Sequence, residues 1–194
     1  FPEREALRVF ERVCDATKAM HKHGWAHRDI KPHNVLLFEG DRPGLAGAVP
    51  VLMDLGSTAE AKVKVRSRRD AIQLQDVAAS KCSPPYRAPE LFEVPQECDI
   101  DGRTDVFSLG GTLYAMAFGR SPFEHPTQGF MKLALLNGDV VFPTDDDGQA
   151  RGPLGDPYSK PFCDLVRGML RPNPGKRYKL SKVLRLVRGM VGAE

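Results

Sequence analysis

The sequence predicts an α+β domain, mostly helical with a small β element, and three observations carry that expectation. A long amphipathic pattern opens the chain, two short β-branched runs follow it, and beyond Leu91 the apolar spacing turns helical. With 194 residues and 41% apolar content the chain can bury one substantial core, so one compact domain over residues 1–194 is expected.

The elements follow in order. Over 4–23, Leu7, Phe10, Val13, Cys14, Thr17 and Met20 recur at three- and four-residue steps, and Gly24 sits where such a helix stops. The runs 35–38 and 49–53, separated by a loop containing Gly40, Pro43, Gly44 and Gly47, read as a hairpin. Residues 105–118 are apolar on nearly every face, which predicts a buried central helix ended by Gly119. Further helices are expected over 129–137, 160–170 and 181–190. In the last, Ser181 is the expected cap, and Val183, Leu184, Val187 and Met190 share a face.

Composition narrows the function classes. Cys14, Cys82, Cys98 and Cys163 are scattered without CxxC spacing, which argues against a zinc site or disulfide framework and suits a reducing, cytoplasmic setting. A formal charge of +3 is too small to imply a nucleic-acid partner, and no apolar run approaches the ~20 residues of a transmembrane segment. The chain opens at Phe1 with neither a signal segment nor a Met-Gly lipidation signal, and is read as part of a longer product.

The chemistry-bearing residues lie beside the short strands. His27-Arg28-Asp29-Ile30-Lys31-Pro32-His33-Asn34, then Asp54-Leu55-Gly56, then Ala88-Pro89-Glu90 occur in that order. They resemble the H-R-D-x-x-x-x-N, D-F-G and A-P-E elements of protein kinases, for which this order is diagnostic. Phosphoryl transfer needs an acceptor hydroxyl held in line and phosphate charge neutralised by metal and cationic groups. Asp29 suits the base that receives the hydroxyl proton, and Lys31 suits the cation that reaches the transferring phosphate of ATP. Asn34 and Asp54 offer the hard oxygen ligands that Mg²⁺ prefers.

The resemblance extends over essentially the whole chain, to the C-terminal lobe of the kinase fold. It implies a Ser/Thr protein kinase transferring the ATP γ-phosphate to a protein substrate with a Ser/Thr acceptor. Lys31, and Ser83 three residues before Tyr86, follow the Ser/Thr-specific pattern. Asp105 resembles the Asp that braces the catalytic loop backbone, and Glu90 with Arg177 resembles the family's buried ion pair. The stretches 51–57, 74–76, 86–92 and 103–110 are similar to the Numb-associated kinase family and to its small, lipid-modified, Golgi-associated member. That resemblance implies Golgi or other membrane association.

Two departures matter. Leu55 replaces the usual Phe of D-F-G, leaving Asp54 intact. No G-x-G-x-x-G loop followed by a strand Lys occurs before the catalytic loop; Lys62 and Lys64 lie beyond Asp54. The expected fold is therefore a kinase-like C-terminal lobe with its N-lobe absent and with weak nucleotide binding. A catalytically inactive kinase-like binding or scaffold module is the alternative function.

Other features read as structural. The i, i+2 spacing of His21 and His23 does not place two imidazoles on one helix face, so they are expected as a solvated helix terminus. The resemblance places His27 behind the catalytic loop. Asp145-Asp146-Asp147-Gly148 is no calcium loop, since Pro143 and Leu154 would occupy the first and twelfth ligand positions. The basic run 62–69 is expected as a solvated stretch of the activation segment. Arg28 is expected to pair with a phosphate on that segment, at Ser57, Thr58, Ser67 or Ser80.

Overall fold

A computed structural model describes residues 1–40 and 47–192. The loop expected through Pro43 and Gly44 lies outside the described residues. The first helix, α1 (Glu3–Lys22), buries Leu7, Phe10, Val13, Cys14 and Thr17 along one face, as its spacing requires. Gly24, at φ +84°, turns the chain out of it with no side chain to resist the left-handed conformation. The strand β1 (Trp25–Ala26) follows, then β2 (Val35–Phe38) and β3 (Val49–Leu52), then β4 (Ala59–Glu60) and β5 (Val63–Val65).

The hairpin expected from the two β-branched runs is present: β2 and β3 are antiparallel, with Val35 opposite Leu52 and Phe38 opposite Val49. The strand β1 pairs with β4, bringing the residues just before His27 against those shortly after Asp54. Next comes α2 (Arg68–Lys81), for which no helix was expected and whose first two residues end the basic run 62–69. Only Ala71 and Ala78 of α2 are buried, so it has no apolar stripe to announce it, but Ser67 and Asp70 form a reciprocal capping box.

The strand β6 (Cys98–Ile100) pairs with β5, and α3 (Arg103–Phe118) then runs through the core, buried on nearly every residue and ended by Gly119 at φ +83°. The remaining elements are β7 (Glu124–His125), β8 (Gly129–Phe130), α4 (Lys132–Asn137), β9 (Ala150–Arg151), β10 (Pro157–Tyr158), α5 (Lys160–Met169) and α6 (Leu180–Gly192). Packed on α3 are α1 and α5, while α6 lies against α1 and α5. An aromatic cluster of Tyr114, Phe118, Phe142, Tyr158 and Phe162 fills the lower core. On the opposite side Trp25 and Leu55 are 50% and 62% exposed, bordering an apolar groove of about 840 Å³.

Three expectations are corrected. The expectation of one small β element and an absent N-lobe is not met, although helices still hold most of the regular structure. Among the described residues ten strands form five two-stranded antiparallel sheets, five of the strands within the first 65 residues. The strands other than β2 and β3, of two or three residues, are too short to show alternation in a sequence, so they were not legible there. The helix expected over 129–137 begins only at Lys132. Gly129 sits at φ +72°, outside helical space, and serves β8 instead. Finally, α6 starts at Leu180, so Ser181 lies inside its first turn and not at its cap.

Candidate active site

The site is assembled on the loop between β1 and β2. Asp105, fully buried in the first turn of α3, accepts from the backbone N–H of His27 through Oδ2 and from that of Arg28 through Oδ1, both at 2.8 Å. Two successive N–H groups can face one carboxylate because Arg28 adopts a left-handed conformation, φ +70°, a strained position for a long side chain. His21 completes the brace: its Nε2 lies 2.8 Å from Asp105 Oδ2. This corrects the expectation of a solvated His21. The imidazole is held inward because α1 ends directly beside the first turn of α3, a proximity that helical spacing does not report. His23 is exposed as expected. Burial pushes the Asp105 carboxyl up, but the His21 imidazole and the two backbone donors outweigh it and hold the group below the usual Asp range.

His27 is fully buried, with its Nε2 2.8 Å from the Met53 carbonyl oxygen, so it ties the loop between β1 and β2 to the residue before Asp54. Next in sequence, Asp29 is the point on which the site converges. Its Oδ2 accepts from Lys31 Nζ at 2.8 Å and from Asn34 Nδ2 at 3.2 Å, and its Oδ1 accepts from the Ser83 N–H at 2.7 Å. Lys31 Nζ also donates to Ser83 Oγ at 2.6 Å, and Asn34 Nδ2 to the Asp29 carbonyl at 2.8 Å. Ser83 is the residue whose contacts the sequence understated. It stood out only by its distance from Tyr86, and only folding brings it to residues 52 and 54 positions away.

Asp54 stands apart from that cluster. It is exposed, sits at φ +60°, and accepts from the Gly56 N–H at 3.2 Å. Both its oxygens and Asn34 Oδ1 are hard donors. So small a set of protein oxygens fits Mg²⁺, which keeps several waters and phosphate oxygens in its shell. Among the described residues no group of three His, Cys, Asp or Glu side chains forms a metal cage, so any cation here would depend on its substrate for ligands.

Arg28 is buried, with its NH2 donating to the Glu60 carbonyl at 3.1 Å, while Nε and NH1 have no partner among the described residues. Arg177, fully buried, meets Glu90 through two parallel bonds of 2.7 and 2.8 Å. It spends its remaining donors on the Arg103, Arg171 and Pro172 carbonyls, as the expected ion pair requires. All four cysteines are free, and burial pushes the Cys82 thiol up to about 11, so it stays protonated at neutral pH beside Arg87 and Asp29.

A buried carboxylate, a cation beside it, and a brace from the central helix thus meet on one loop. The chain matches the family described as protein kinase domain over residues 1–186, and it belongs to that family. With that match over residues 1–186 and five strands within the first 65 residues, the expectation of a fold defined by an absent N-lobe is corrected. Similar relatives include serine/threonine-protein kinase 16 of Homo sapiens, 49% identical over 175 residues, and that of Rattus norvegicus, 46% identical over 176 residues. Each alignment covers 90% of this chain and 52% of the relative. A serine/threonine-protein kinase of Schizosaccharomyces pombe is 34% identical over 187 residues, covering 94% of this chain and 50% of the relative. The chain thus spans about half the length of these curated relatives.

Proposed function

We propose that the protein is a Ser/Thr protein kinase that transfers the γ-phosphate of ATP to protein Ser/Thr hydroxyls, with Asp29 as base. The convergence of Lys31, Asn34 and Ser83 on the Asp29 carboxylate carries this reading. An acceptor hydroxyl approaching Asp29 donates a hydrogen bond to it. As the hydroxyl oxygen bonds the γ-phosphorus, its proton passes to the carboxylate and ADP leaves. Lys31, anchored between Asp29 and Ser83, balances charge on the transferring group without competing for the proton. Asn34 and Asp54 would hold Mg²⁺, which neutralises phosphate charge when bound.

The narrower assignment, to the Numb-associated kinases, is supported by the stretches around Asp54, Glu90 and Asp105, and a cytoplasmic, membrane-associated setting goes with it. Regulation by phosphate on the activation segment is supported by the two unpartnered guanidinium nitrogens of Arg28.

The test is Mg·ATP phosphotransfer to a generic Ser/Thr protein substrate by the intact protein and by Asp29→Asn. The expected loss is about 10²-fold or more. Equal rates in both would refute Asp29 as base, and no transfer by the intact protein would refute the enzyme.

A further inference from the structure

The basic run that follows Asp54 is arranged in space in a way its sequence does not require. Alternation along β5 buries Val65 and half-buries Val63, so Lys62, Lys64 and Arg66 all project outward on one face. Arg66 is neutralised by Asp99 of β6 at 2.8 Å. Among the described residues no carboxylate pairs with Lys62, Lys64, Arg68 or Arg69. Arg68 and Arg69 are exposed in the first turn of α2, the end of a helix that disfavours cations, so local stability does not explain them.

Two recesses flank this strip. One, of about 410 Å³, is lined by Lys62, Arg103, Lys179 and His21, and its one carboxylate, Asp101, is taken by Arg103 at 2.8 Å. The other, of about 600 Å³, lies along α2, where Arg68 and Arg69 adjoin Ile72 and Val77, 50% and 43% exposed. Asp76 is the acidic residue in that lining.

We propose that the β5–α2 face is a docking surface for an acidic segment of a partner protein. An apolar side chain of that segment would lie against Ile72 and Val77, and an acidic group would enter the recess at Lys62, Arg103 and Lys179. Charge complementarity selects an acidic occupant, since Lys62, Lys64, Arg68 and Arg69 fall within eight residues and none of them meets a carboxylate among the described residues. Recesses holding both cations and apolar atoms suit side chains better than a flat anionic bilayer, and no aromatic residue interleaves the cations to stack on bases. The helix α2 leads through Cys82 to Ser83, whose N–H holds Asp29, so a partner docked there sits on the element that ends at the proposed base. The docking does not depend on phosphotransfer, because binding is read without nucleotide.

The experiment titrates the intact protein, without ATP, into a fluorescent Asp/Glu-rich peptide carrying one Leu, and into its Asn/Gln counterpart. Preference for the acidic peptide is expected, weakening steeply as salt rises from about 0.05 to about 0.3 M. The double variants Arg68→Glu/Arg69→Glu and Lys62→Glu/Lys179→Glu are each expected to weaken it about tenfold. Circular dichroism melting of both variants within about 3 °C of the parent is expected, which shows that they remain folded. Equal binding of the two peptides, or variants that bind as the parent does, overturns the proposal. So does displacement of the peptide by phosphatidylserine vesicles or a single-stranded oligonucleotide that bind more tightly than it does.

Discussion

Replacing Asp105 by Asn keeps the side chain's shape and removes its charge, and the geometry sets what that costs. The two carboxylate oxygens of Asp105 accept from His27 N–H, Arg28 N–H and His21 Nε2. An Asn has one accepting oxygen, and its amide N–H₂ must face a donor on the other side. At least one buried N–H is then orphaned and the charge-assisted contact is weakened, together about 3 to 5 kcal/mol. At about 2.1 cal/mol/K of unfolding entropy per residue, 194 residues convert this into a fall in Tm of about 7 to 12 °C. Circular dichroism melting at pH 7 reads it directly, and a fall of less than about 3 °C would refute the brace.

A second readout comes from pH. The Asp105 carboxyl lies below its usual range in the folded protein. Above the unfolded value of about 3.9 its stabilisation is fully present. As pH falls through the lowered folded value, the unfolded chain has bound the proton first, and the stabilisation is lost. The gap between parent and Asp105→Asn should therefore narrow below about pH 4. A gap constant through that range would show that the charge of Asp105 contributes nothing.

Three further outcomes are expected. Glu90→Ala leaves the fully buried Arg177 charge without its carboxylate and should lower stability by about 3 to 5 kcal/mol in urea unfolding. Ser83→Ala removes the hydroxyl that accepts from Lys31 Nζ and keeps the N–H that holds Asp29. It should slow phosphotransfer about tenfold, while Tm moves by less than about 2 °C, as steady-state rates and melting will show. Ser67→Ala breaks the capping box of α2 and should cost that helix about 1 kcal/mol, visible as faster amide hydrogen exchange confined to residues 68–81.

How much was legible in the sequence differs from element to element. Long, strongly patterned elements were readable: α1 from its three- and four-residue steps, α3 from its continuous apolarity, the β2–β3 hairpin from two β-branched runs. By contrast α2 escaped because its stability rests on a cap and two buried alanines, although Ser67 and Asp70 carried the cap's signature. The paired short strands escaped because two residues have no period. Within the site, the residues of the H-R-D-x-x-x-x-N, D-F-G-like and A-P-E elements were each identifiable, since their chemistry is tied to fixed local spacing.

What the sequence by itself determined was therefore the inventory: an acid, a cation, two oxygen donors, and the helices and hairpin that carry them. Only the tertiary structure decided their company. It placed Ser83 on Asp29 and Lys31, turned His21 inward onto Asp105, and gathered Lys62, Arg68, Arg69 and Lys179 around two recesses. The reason is physical. Local spacing controls which residues share a helix face or strand edge, whereas contacts between residues 50 to 100 positions apart exist only once burial of the common core has fixed how the elements pack.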